Sequence, residues 1–221
     1  MTIRVERRQL LAGAAALGAA AWLGGPRAAH AADEAPDALI RRLSDEVLEL
    51  LKKDQTLRSG DVDYIIALAD RTIMPHVNFR RMTAGAVGPA WRRATPEQQA
   101  RLEQEFKQLL VRTYAGALSQ VTDQSIVVQP LRAAPEDKDV LVRTEIRGRG
   151  EPVQLDYRLE KTPGQGAGWK IYNFNVLGVW LVDTYRSQFA QEINKETDPR
   201  KGIDRLIETL ATRNKTNAGT Q

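Results

Sequence analysis

Apolar positions recur at helical spacing in the first half of the chain, alternate in its middle, and return to helical spacing towards its end. From Pro36, Leu39, Leu43, Val47, Leu50 and Leu51 form one stripe, with Arg41, Arg42, Asp45, Glu46, Glu49, Lys52 and Lys53 outside it, which predicts an amphipathic helix. A second helix carries Ile65, Ile66, Leu68, Ala69, Ile73 and Met74; Ser59 or Asp61 can cap it, and Pro75 stops it. A short turn or helix over 79–83 leads into an expected loop, Gly85-Ala86-Val87-Gly88-Pro89. Thr95-Pro96-Glu97-Gln98 combines an N-cap, a proline at the first helical position and the partner of a capping box. The helix it starts should run to about Gln120, with Leu102, Phe106, Leu109 and Leu110 on one face.

The period then changes to two. Strands are predicted over 126–131, 140–146 and 153–159, and a fourth from Trp169. In the second, Val140, Val142, Thr144 and Ile146 oppose Leu141, Arg143, Glu145 and Arg147; in the third, Val153, Leu155, Tyr157 and Leu159 alternate with Gln154, Asp156, Arg158 and Glu160. That is the pattern of antiparallel strands buried on one side. Gly148-Arg149-Gly150 and Pro163-Gly164-Gln165-Gly166 supply the hairpin connections, and two further helices are predicted over 179–194 and 203–213, before a loose polar tail from Asn214. Helices, then about four strands, then helices read as an α+β fold: one antiparallel sheet packed on helices by one face. If the sheet curves, a pocket opens between the two layers.

One stretch stands apart. Trp169–Val182 carries a single charge, Lys170, in a chain that is 27% charged. It is shorter than the roughly 20 residues a membrane-spanning helix needs. So much apolar surface at a strand-to-helix corner, with no catalytic side chain nearby, suggests the wall of an apolar cavity and favours binding over catalysis. The candidate lining is the apolar sheet face (Val142, Ile146, Leu155, Tyr157 and Ile171), the corner (Phe174, Val176, Val179, Leu181 and Val182) and the long helix (Phe106, Leu110 and Tyr114). A one-residue slip in register would turn the other sheet face inward.

The N-terminus reads as a signal peptide over residues 1–31: Arg4, Arg7 and Arg8, an apolar run from Leu10 to Leu23, and Ala29-His30-Ala31 as a cleavage site. Glu6-Arg7-Arg8-Gln9-Leu10-Leu11 fits a twin-arginine export signal, and adjacent arginines fit an ordinary secretory one as well. The expected mature part is one domain over 32–214 with a polar tail, 215–221. Without the leader, 28 basic residues face 27 acidic ones, a formal charge of +1 in place of +4. A nucleic-acid surface is therefore not indicated. Electrostatic docking would rest on local patches, for which Arg80, Arg81, Arg92 and Arg93 are the candidates.

Chemistry is sparse. There is no cysteine, and His76 is the single histidine outside the leader, so neither a transition-metal site nor a Ser-His or Cys-His dyad is expected, and no cofactor. His76 reads as a helix-end or surface histidine. Gly164-x-Gly166-x-Gly168 joins two strands and opens no helix, so it reads as a hairpin and not as a phosphate loop. Asp156, Arg158 and Glu160 share an outward strand face and are expected to form cross-strand ion pairs.

Ala90-Trp91-Arg92-Arg93-Ala94-Thr95-Pro96-Glu97-Gln98-Gln99 carries a family pattern, continued by Phe106-Lys107-Gln108-Leu109-Leu110-Val111-Arg112-Thr113-Tyr114, Gly168-Trp169-Lys170-Ile171-Tyr172, Gly178-Val179, Tyr185-Arg186-Ser187-Gln188-Phe189 and Gly202-Ile203-Asp204-Arg205-Leu206-Ile207. In order and spacing, over residues 36–214, these resemble the MlaC family of toluene-tolerance or auxiliary-transport proteins. The resemblance implies a fold like nuclear transport factor 2 and a periplasmic phospholipid carrier. Its partners would be an outer-membrane lipoprotein–porin complex and an inner-membrane ABC transporter with an MCE-domain protein. The chain departs from the pattern with Asn78 and Asn173 where Asp is usual, Leu177 for Glu and Trp180 for Ser. A branch of the family serves hopanoid-producing bacteria, which leaves a hopanoid-associated cargo as an alternative. An enzyme on the same cone would need an acid or base facing inward, where the strands offer mainly Thr144 and Tyr157; an adaptor domain would have a filled core.

Overall fold

The computed structural model describes residues 34–216, apart from 119, 120, 122 and 135; the expected signal peptide and the end of the expected tail lie outside the described residues. Local signals set most helix starts. Helix α1 (Pro36–Lys53) has proline in its first turn, Asp37 beside it, and Lys52 and Lys53 in its last turn, where each charge complements the helix dipole. After the single turn α2 (Gln55–Arg58), α3 (Val62–Thr72) is capped by Asp61, whose Oδ1 accepts the Tyr64 N–H at 3.0 Å. Asn78 caps α4 (Phe79–Val87) through the Arg81 N–H at 2.9 Å. The capping box of α5 (Pro96–Leu118) is reciprocal: Gln98 N–H donates to Thr95 Oγ1 at 3.2 Å and Thr95 N–H to Gln98 Oε1 at 3.0 Å.

The segment 85–89, expected as a loop, is not one. α4 runs through it to Val87, and a 3₁₀ turn follows over Gly88–Arg93. Helix α6 presses on α4 there: a Cβ at Gly85 would stand 2.9 Å from Val182 Cγ1, and Arg186 Nε donates to the Gly85 carbonyl at 2.8 Å. Glycine is needed for close approach, not as a hinge.

The sheet is an antiparallel meander in the order β1 (Ser125–Val128), β2 (Asp139–Arg147), β3 (Val153–Lys161), β4 (Trp169–Val176) and β5 (Val179–Trp180). Five strands replace the four predicted, because the corner at Gly178 is a hairpin. Val176 pairs with Val179, and Leu177 (φ 53) and Gly178 (φ 85) form the two-residue turn, both left-handed as a type I′ turn requires. β5 passes directly into α6 (Leu181–Ile193), and α7 (Pro199–Thr216) follows. α7 is longer than predicted at both ends. Asn214, expected in a loose tail, is 3% exposed and donates to Glu105 Oε2 at 2.7 Å.

Register decides which side chains meet. Val142 lies opposite Tyr157 and Tyr157 opposite Phe174; Thr144 lies opposite Leu155 and Leu155 opposite Val176. Between Arg158 and Leu159 the pairing shifts: Arg158 faces Asn173, Leu159 faces Ile171, and Tyr172 is the extra residue of a β-bulge. Through it Trp169, Ile171, Phe174 and Val176 all join the side of β4 that continues the apolar face of β3.

Two apolar clusters fill the described part. The larger lies between sheet and helices around Phe106, fully buried, whose ring stands 5.0 Å from Tyr185, 5.3 Å from Phe189 and 5.7 Å from Phe79. The smaller, Leu51, Leu57, Val62, Ile65 and Ala115, packs the ends of α1 and α5 on α2 and α3. Helix α5 contributes to both. Among the described residues no helix is long and apolar enough to cross a membrane.

Candidate functional site

The inward sheet face is the one read from alternation. Of the predicted lining, Phe106, Val142, Tyr157, Ile171, Leu181 and Val182 are buried in the larger cluster, and Leu110, Tyr114, Leu155, Phe174 and Val176 pack against it half-buried. Ile146 lies outside that cluster, half-buried in the row Ile126, Ile146, Val153. Val179 is also apart from it: at 51% exposure it belongs to the hairpin tip, because the turn carries it past the sheet edge. Phe79, Met82 and Ala86 complete the helical wall. Their three- and four-residue spacing was visible in the chain, but Gly85 and Gly88 on either side of Ala86 suggested a loop. Ser44 gave no signal, since a serine beside an apolar stripe reads as surface.

Ser44, 6% exposed, supplies the wall's polar point. The Tyr157 hydroxyl hydrogen-bonds to Ser44 and Thr144, and Thr144 Oγ1 donates to the Leu155 carbonyl. Burial pushes the Tyr157 phenol up to about 12, opposed by these hydrogen bonds. At neutral pH it holds its proton and is no base. Among the described residues no group of three His, Asp or Glu stands ready to hold a metal ion.

The cross-strand ion pairs expected of Asp156, Arg158 and Glu160 give way to other partners. Asp156 is 3% exposed and accepts from Gln154 Nε2; Arg158 lies over the Trp180 ring, 4.2 Å from its centroid; Glu160 receives Arg81 Nη1 and Asn78 Nδ2. Its cation comes from a helix 79 residues earlier in the chain, which strand alternation cannot reveal. Arg81 also donates to Asp139 at 3.1 Å and stacks on Tyr172, while Arg80 is held by Gln99, Glu103 and the Trp91 ring. Arg92 and Arg93 are exposed and line a groove of about 730 Å³ with Thr95, Asp198 and Arg200. His76 is half-buried in a 3₁₀ turn, its pKa lowered by burial and then by Arg42.

Sheet and helices thus enclose a layer of aliphatic and aromatic side chains relieved by hydroxyls, those of Ser44, Thr144 and Tyr157 among them, which defines an α+β protein with a one-sided sheet and an apolar interlayer. The family model described as MlaC protein matches residues 41–212, and the chain belongs to that family. It is 22% identical over 178 residues to the intermembrane phospholipid transport system binding protein MlaC of Haemophilus influenzae, covering 80% of each chain. It is 27% identical over 176 residues to the toluene tolerance protein ttg2D of Pseudomonas putida, covering 78% of this chain and 80% of the relative. A solved structure of a phospholipid-binding protein from Ralstonia solanacearum, in complex with a phospholipid, is similar with a TM-score of 0.76 and 44% identity, over 82% of this chain and 98% of that one.

Proposed function

We propose that the chain is an exported, periplasmic phospholipid carrier and not an enzyme. It would take lipid between an outer-membrane lipoprotein–porin complex and an inner-membrane ABC transporter with an MCE-domain protein, and so maintain outer-membrane lipid asymmetry. The observation that carries this reading is the continuous apolar layer between sheet and helices, in a chain 44% identical to a protein whose structure holds a phospholipid. Each acyl methylene kept from water is worth about 0.8 kcal/mol, so a sixteen-carbon chain represents roughly 10 kcal/mol or more of exposure avoided. The acyl chains occupy the layer bounded by Val142, Leu155, Tyr157, Phe174, Phe106 and Tyr114, parting contacts that the side chains otherwise make with one another, and the head group stays at the rim. Catalysis is disfavoured because the inward polar groups are hydroxyls, with the Tyr157 phenol held protonated. Arg92 and Arg93, exposed and without a carboxylate partner among the described residues, are the groups of the predicted set open to dock an acidic partner.

Mass spectrometry of the natively purified protein tests the reading. A stoichiometric phospholipid is expected; absence of lipid after purification and after incubation with phospholipid vesicles overturns it. Val142→Asp or Leu155→Asp, if folded, should lose that lipid.

A further inference from the structure

We infer that the β4–β5 hairpin tip is a bilayer contact, the point at which the carrier touches the membrane it draws lipid from; this rests on the carrier reading. The large apolar side chains that stand exposed among the described residues are Leu177, at 66%, and Val179, at 51%, and they flank Gly178 at one hairpin tip. Leu177 holds a left-handed backbone (φ 53), a position that Asn, Asp or Gly occupies with less strain. Its exposed side chain returns little packing to offset that strain. An outlier kept against the interest of the fold points to a use outside it.

What lies behind the tip identifies the partner. Trp180 is half-buried, with the Arg158 guanidinium over its ring. Two strands further in, Arg143 is exposed as well. Among the described residues neither guanidinium has an ion-pair partner, whereas the nearby acids are occupied or buried: Glu145 by Arg147, and Asp156 under Gln154. Asp183, exposed in the first turn of α6, is the opposing charge at this corner. Two aliphatic side chains at the apex, an indole behind them and guanidinium groups behind that match the depth order of a bilayer interface: acyl chains, head-group level, phosphates. The turn is also held firm, since Leu177 N–H donates to the Gln154 carbonyl at 3.0 Å and Val182 N–H to Asn173 Oδ1 at 3.1 Å. Val176, next to the tip, packs on the apolar layer, so the apex and the proposed acyl site are continuous. The small apolar area makes attachment weak and reversible, which suits a carrier that must leave again.

The test uses the purified protein with vesicles of phosphatidylethanolamine containing a minority of phosphatidylglycerol, a portion of them with brominated acyl chains. The protein should float with the vesicles, and bromine should quench tryptophan emission by an amount that disappears in Trp180→Phe. Leu177→Asp should weaken vesicle association about tenfold, one buried leucine's worth of transfer energy, while lipid found by mass spectrometry is unchanged. Leu177→Asn should weaken it in the same direction without lowering the melting temperature, which separates contact from folding. Wild-type protein that ignores vesicles, as it would if the tip fitted a recess in another protein, overturns the inference; so does Leu177→Asp binding like wild type. Protein that carries no lipid yet floats with vesicles overturns the carrier reading and leaves the contact standing.

Discussion

At its start β4 is locked to the helical layer by a charged and aromatic cluster, whereas at its end it turns in a hairpin whose apolar side chains stand in solvent. At the start, Arg81 reaches from α4 to Glu160 and Asp139 and lies 3.5 Å from the centroid of Tyr172. Asn78 adds its amide to Glu160 and its N–H to the Ile171 carbonyl at 2.8 Å. A planar guanidinium serving two carboxylates and a ring fixes direction as well as distance. At the end no ion pair holds Leu177 or Val179, and the turn itself is strained. The contrast teaches that the sheet is anchored to the helices at one end and left presentable at the other. The polar groups do the anchoring, and the exposed apolar groups are the ones free to meet something else.

Buried apolar contact at the anchored end should carry the largest effect. Ile171, 2% exposed, replaced by Ala should cost about 2–5 kcal/mol in urea unfolding, and Leu177→Ala less than about 0.5 kcal/mol; equal losses would break the comparison. Next comes the middle of the sheet. With its phenol raised by burial to about 12 against an ordinary 10, Tyr157 contributes its full share of stability below pH 10 and loses it as pH rises through 12. That amounts to about 2–3 kcal/mol by pH 12, read from melting temperatures, and Tyr157→Phe should flatten the decline. Glu160→Gln removes the clamp's central charge. Because the Arg81 side chain is 38% exposed, solvent screens the pair, and the loss should be about 1 kcal/mol, shrinking in high salt. Smallest, and opposite in sign, Leu177→Asn should raise stability by a few tenths to 1 kcal/mol, since Asn accepts the left-handed backbone more readily. A destabilised Asn variant would mean that Leu177 packs after all.

Much of this was legible in the chain, and the failures have physical reasons. Alternation in β2 and β3 placed Val142, Leu155 and Tyr157 on the inward face, and the Thr95-to-Gln98 box started α5 where expected. The second strand of the hairpin was missed because two residues carry no period, and because Leu177 disguises a turn that Asn-Gly would have announced. The 85–89 segment misled for the converse reason: glycine there serves close helix contact, which sequence cannot distinguish from a break. The Glu160 clamp and the Ser44 hydroxyl are long-range meetings of ordinary surface residue types, and nothing local marks them.

The bulge at Tyr172 has a consequence for how this chain can change length. Read as a two-beat rhythm, β4 has Trp169 and Ile171 on one beat and Phe174 and Val176 on the other; Tyr172 is the syncopation that brings all four to the same side. Were the same residues paired without the bulge, Asn173 and Asn175 would face the helices and Phe174 and Val176 the outside; deleting Tyr172 itself leaves plain alternation, with Ile171, Phe174 and Val176 still inward. The turn over 163–166, fully exposed between two paired strands, carries no such phase and can gain or lose residues without moving a single inward side chain. Changes of length should therefore collect in that turn, and within β4 the one compatible with the wall is loss of the bulge residue itself, which turns a syncopated strand into a regular one with the same side chains inward.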